Sequence, residues 1–117
     1  MNTIAKKEKQ VSDIKIESLT SNNLSHYRTL HTFERFAEVT SIDEFYEYCS
    51  WAKENSLSIY ILGNGSNTLF TKKNVQSLVL KNKLPKFLNA LPDNRLEVSS
   101  SSTIMEVLKC CYKNSWE

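Results

Sequence analysis

Ile61-Leu62-Gly63-Asn64-Gly65-Ser66-Asn67-Thr68-Leu69-Phe70 joins an apolar, β-branched run to a loop of glycines, amides and small hydroxyls. The run starts earlier, at Leu57, and its β-branched and aromatic residues predict a strand. Gly63 and Gly65 are the only glycines in the 117 residues, and they lie two positions apart. Glycines this scarce mark backbone positions where a side chain would not fit. Two readings follow. Successive N–H groups in such a loop can form a concave nest for phosphate oxygens, with Ser66, Asn67 and Thr68 adding short donors. The same residues can also make a tight structural turn. Two familiar phosphate motifs are excluded: no lysine follows the glycines at the spacing of a nucleoside-triphosphate loop, and Leu69-Phe70 stand where a dinucleotide fingerprint needs a glycine and a helix.

Upstream, Phe36-Ala37-Glu38-Val39-Thr40 alternates weakly and predicts a strand over 36–40. Ser41, three residues before Glu44, has capping-box spacing. Ile42, Phe45, Cys49 and Ala52 then recur at helical spacing, predicting a helix that ends near Asn55. Strand, helix and strand make a βαβ unit with parallel strands and a right-handed crossover. The glycine loop falls at the carboxyl end of its second strand, where ligands bind in such units. Downstream, 77–81 predicts a third strand and 86–91 a fourth. Pro92-Asp93-Asn94 is turn chemistry, and 95–99 predicts a fifth strand. A second helix is expected from Thr103, with Glu106 again three residues on and Ile104, Val107, Leu108 and Cys111 on its apolar face. Residues 1–23, rich in Lys, Glu, Ser and Asn, are expected to form a flexible lead with room for one short helix.

Composition narrows the classes further. Fifteen Lys and Arg against thirteen Asp and Glu give +2, a balance that steers no polyanion, so neither nucleic acid nor membrane is expected as partner. No apolar stretch approaches the roughly 20 residues of a spanning helix, and the first 25 residues lack the apolar core of a signal peptide. Cys49, Cys110 and Cys111 are odd in number and lack metal-ligand spacing, which fits reduced thiols in a cytoplasmic protein.

The segment Leu62-Gly63-Asn64-Gly65-Ser66-Asn67 resembles the Leu-Gly-x-Gly-Ser-Asn signature of the UDP-N-acetylmuramate dehydrogenase (UDP-N-acetylenolpyruvoylglucosamine reductase) family. These flavoenzymes of peptidoglycan precursor synthesis carry the PCMH-type FAD-binding fold shared with vanillyl-alcohol oxidase. The resemblance implies that Gly63, Asn64, Gly65, Ser66 and Asn67 wrap the FAD pyrophosphate. It also implies an oxidoreductase reaction in which hydride passes from NADPH to FAD and on to the enolpyruvyl double bond of a UDP-sugar. The family's strand, helix and strand before the loop agree with the pattern here, and its Asn-Thr-Phe-like element matches either Arg28-Thr29-Leu30 or His31-Thr32-Phe33. The resemblance spans roughly residues 24–117, but only the glycine loop is specific. Ser99-Ser100-Ser101-Ser102 stands where the family has a glycine-containing turn. The family's later Gly-Leu-Glu, Pro-Gly-x-x-Gly-Gly and Asn-x-Gly-Ala elements, and the substrate domain with its serine, glutamate and arginine, do not occur in these residues. Catalysis is therefore expected to require parts that this sequence lacks, and no catalytic residue is assigned.

His26 and His31 have no partner pattern and suit surface or capping positions better than a general base. Asp43, Glu44 and Glu47 read as an exposed helix face with acids near the positive N-terminus. Phe45, Tyr46, Tyr48 and Trp51 fit the core and rim of that helix, and strand packing suits Tyr60. The expected fold class is α+β: an FAD-binding PCMH-type domain made incomplete, with a βαβ subdomain over about 24–82 and part of a second lobe over about 83–117. A non-catalytic nucleotide- or partner-binding remnant of that fold is the alternative, and a plain structural domain with an incidental glycine turn is a third reading.

Overall fold

The computed structural model describes residues 14–114. The first thirteen residues of the expected lead, and residues 115–117, lie outside them. The protein is a small mixed α+β domain with two sheets and two helices among the described residues. Strands β1 (Glu17–Ser21), β2 (His31–Val39), β3 (Ile59–Leu62) and β4 (Asn74–Asn82) form one sheet in the order β1-β2-β4-β3. Helix α1 (Ile42–Glu54) joins β2 to β3. Strands β5 (Leu88–Leu91) and β6 (Arg95–Val98) form a separate hairpin, followed by helix α2 (Ile104–Lys113).

The βαβ unit is present, with β2 and β3 both parallel to β4. The third strand does not extend the sheet outward. It inserts between the two strands of the unit, leaving β3 at the edge. Residues 17–21, expected to belong to the lead, instead pair antiparallel with β2. Their single apolar residue within the strand, Leu19, packs against one of the two cores, a weak pattern that only its neighbour reveals as a strand.

Both faces of the sheet are covered. On one, Ala37, Val39, Leu78 and Leu80 meet Tyr48 and Ala52 of α1. On the other, Phe33, Phe36, Leu62 and Val79 are buried beneath Leu24, Phe70 and neighbouring residues. Phe33 and Phe36 are three apart yet share a cluster. The β2–β4 register shifts between Phe33 and Arg35, and such an irregularity reverses the alternation of faces. A strand read from 36 onward misses this, because the pattern changes phase within it.

Helix α1 begins as its capping signal predicts, with the Ser41 hydroxyl accepting the Glu44 N–H at 3.2 Å. The carboxylate of Glu44 reaches one residue further back, accepting the N–H and hydroxyl of Thr40, both at 2.8 Å. The buried stripe is rotated from the expected one. Tyr48 and Ala52 face the core while Ile42 is exposed. The helix ends in a Schellman arrangement: Leu57 N–H donates to Ala52 C=O at 2.9 Å and Ser56 N–H to Lys53 C=O at 3.2 Å. Ser56 takes the left-handed conformation, φ 54°, that glycine usually fills.

In the hairpin, Asp93 and Asn94 both have positive φ, the twist that a tight primed turn requires. The four serines link the hairpin to α2. Ser99 is buried, its hydroxyl accepts the Phe87 N–H at 3.0 Å, and it lies 2.6 Å from the Ser102 hydroxyl. No residue from 99 to 102 has positive φ, so the four serines form this turn without a left-handed backbone. Thr103 and Glu106 then form the complete capping box.

Candidate functional site

The chain leaves β3 at the fully buried Leu62 and turns back across the sheet before entering β4 at Asn74. Three anchors hold this return. Gly65 C=O accepts the His26 N–H at 3.0 Å, and the Ser25 hydroxyl donates to Thr68 C=O. Further on, His31 Nδ1 meets Lys72 C=O while Nε2 lies 2.6 Å from the Thr29 hydroxyl. A carbonyl only accepts, so Nδ1 donates to Lys72, and the Thr29 hydroxyl partners Nε2. Buried, with its ring tilted against those of Phe33 and Phe70, His31 is a structural pin and not the surface or capping group expected.

The two glycines play different parts. Gly65 is buried with φ +78°, and a Cβ there would stand 2.1 Å from Leu24 C=O. Its missing side chain lets the 63–68 loop seat against the 22–28 loop. Gly63 has no such reason to be glycine: its φ is not left-handed and a Cβ would meet nothing within 4 Å. Internal packing thus accounts for Gly65, while the backbone at Gly63 borders open space.

Around Gly63 the loop faces outward. Asn64, Ser66 and Asn67 are exposed, and their side chains make no hydrogen bond among the described residues. Thr68, expected among the donors, is instead 3.0 Å from the Tyr60 hydroxyl. The Tyr60 ring also packs edge-on against Phe70 at 5.9 Å, in keeping with strand packing.

One cation beside the loop escaped the sequence reading. Lys81 is paired with Leu62 across β3 and β4, and its ammonium donates to Gly63 C=O. Partial burial pushes its pKa down, the charge of Lys83 adds to this, and Glu38 opposes it. A polyanion at the loop would reverse that penalty by supplying the missing counter-charge. The signal was the i, i+19 pairing of two parallel strands, visible only once the register is known.

Beside this end of the sheet lies a second feature. A cleft of about 460 Å³ lies between the start of α1 and the hairpin lobe, lined in part by Thr40, Ile42, Phe87, Val98 and Ser100. Asn82, at the end of β4, donates to the Ser100 hydroxyl at 3.0 Å. The glycine loop, Lys81 and the cleft thus share the carboxyl edge of the parallel strands, the ligand side of open α/β sheets. Among the described residues, no helix is long and apolar enough to cross a membrane and no cluster of His, Cys, Asp or Glu could hold a metal ion. No family model matches the chain, and no curated protein matches it.

Proposed function

We propose that the chain is an FAD-binding fragment of the PCMH-type fold, related to UDP-N-acetylmuramate dehydrogenase. The loop Gly63-Asn64-Gly65-Ser66-Asn67 holds the cofactor's pyrophosphate. The observation that carries this reading is Gly63, a glycine that neither its conformation nor packing among the described residues accounts for. Backbone approached closely by a bound group accounts for it. The free amide and hydroxyl groups of Asn64, Ser66 and Asn67 supply donors. Lys81 supplies charge, and Gly65 fixes the loop's path against Leu24. The interlobe cleft gives the rest of an elongated dinucleotide a place along the same edge. FAD, when bound, supplies a two-electron carrier. NADPH and the UDP-sugar would engage only with the substrate domain present, so this chain is assigned binding and no catalytic step.

Flavin titration tests the reading. Saturable quenching of FAD fluorescence is expected with the parent chain, weakened at least about tenfold by Gly63→Val or Lys81→Glu. Gly65→Val would not report on binding alone, because its side chain would strike Leu24. A folded chain that shows no saturable FAD binding sinks the proposal. The alternative, a partner-binding remnant of the same fold, is favoured by one observation: the exposed apolar side of α2, described below.

A further inference from the structure

Strand β3 is an edge of the main sheet, and among the described residues nothing pairs with its outer side. The parallel register opposes Ile59 to Leu78 and Ile61 to Leu80, with Leu78 N–H donating to Ser58 C=O at 2.9 Å. In a parallel ladder this phase turns the N–H and C=O of Tyr60 toward β4. Those of Ile59 and Ile61 point outward. The edge is short but carries neither of the chemical guards of such strands: no charge occurs from residue 55 to residue 71 and no proline lies in that span. This is unusual in a chain of which 24% is charged. The opposite edge, β1, begins at Glu17 and follows Lys15. Ile61 is 56% exposed and Leu69 55%, so apolar side chains accompany the open backbone.

We propose that the β3 edge pairs antiparallel with the same edge of a second copy of this chain, about a two-fold axis at Tyr60. A second copy fits because the strand is self-complementary. Rotation about Tyr60 sets Ile59 opposite Ile61 of the partner subunit and Ile61 opposite Ile59 of the partner subunit. Each of these pairs exchanges both backbone hydrogen bonds, so all four outward groups on each strand are satisfied. The two Tyr60 residues meet at the close, non-hydrogen-bonded position, which favours aromatic pairs. An uncharged strand meets its copy without like-charge repulsion, and a two-fold contact closes after two subunits instead of propagating.

Sedimentation equilibrium of the full chain over a concentration series is the test, with amide exchange as an independent readout. A concentration-dependent dimer is expected. Ile61→Lys, an exposed change, should raise the dissociation constant about tenfold or more, while Leu108→Lys on α2 should leave it unchanged. The Ile59 and Ile61 amides should exchange slowly only at concentrations where the dimer forms, whereas those of Tyr60 and Leu62 are protected throughout. A chain that stays monomeric overturns the proposal. So does a dimer that Leu108→Lys dissolves and Ile61→Lys does not, or one in which the Ile59 and Ile61 amides stay fast.

Discussion

The two helices of this protein carry the same local instructions and meet opposite fates. Each has a hydroxyl N-cap, a glutamate three residues on, acid in the first turn, lysine in the last and an asparagine C-cap. Helix α2 has the more complete box, since Glu106 accepts both the N–H and the hydroxyl of Thr103. Yet α1 buries Tyr48 and Ala52, and α2 buries no residue at all. Ile104 is 76% exposed and Tyr112 88%. Capping and periodicity determine whether a helix forms and which side is apolar. Whether that side is covered depends on a partner surface, and the sheet provides one for α1 alone.

The sharpest break between the regions should come from truncating equivalent leucines. Leu78→Ala empties a fully buried position beneath α1 and should cost about 3 kcal/mol in a urea melt. Leu108→Ala, on the uncovered helix, should change stability by less than about 0.5 kcal/mol. Similar losses at both sites would mean that α2 is packed in solution.

The glycines offer the next contrast. Gly65→Ala combines a left-handed backbone with a collision against Leu24 and should destabilise the fold by about 2 kcal/mol. Gly63→Ala faces open space and should be close to neutral for folding while weakening FAD. A smaller effect is expected at the caps. Thr103→Ala should remove about 1 kcal/mol of helix stability, visible as fraying of α2 with the amide protection of the main sheet unchanged.

The two regions should also respond to opposite ends of the pH scale. Glu106 is held below its ordinary value of 4.5 by the Lys86 ammonium, 2.9 Å away, and by the N–H and hydroxyl of Thr103. A depressed carboxyl stabilises the fold above its unfolded pKa and loses that contribution as pH falls through the folded value. Acidification below 4.5 should therefore fray the start of α2, and Glu106→Gln should abolish the response. Tyr48 is shifted the other way. Burial raises its phenol above 10.0 against the opposing N–H of Lys15, with Glu44 and Glu47 adding to the rise. Its contribution is present below 10.0 and is lost as pH rises through the folded value. Alkaline loosening of α1 from the sheet, removed by Tyr48→Phe, is the expected observation in near-ultraviolet circular dichroism.

Much of this was legible along the chain. Ser41 and Thr103 mark both helix starts, Asn55 marks the end of α1, and Pro92-Asp93-Asn94 marks the hairpin turn. These signals are local: a hydroxyl reaches an N–H three residues away whatever surrounds it. β1 was not legible, because Ser18, Leu19 and Thr20 carry too little pattern to show a strand before β2 lies beside them. His31 was misjudged for a related reason. Its partners include Lys72, 41 residues on, and no spacing within one element discloses such a pair.

The sequence by itself determined the helices, the turn of the hairpin, the glycine loop and its place after a strand, whereas the side of α1 that is buried was set by the sheet. Those features follow from hydrogen bonds and steric limits acting over a few residues. Tertiary structure alone decided that β4 inserts between β2 and β3, so that β3 becomes an edge and Lys81 comes to rest beside Gly63. It also separated the two glycines, placing one against Leu24 and leaving the other open. Such outcomes depend on which distant surfaces meet, and the energy of those contacts is shared between segments that carry no local record of one another.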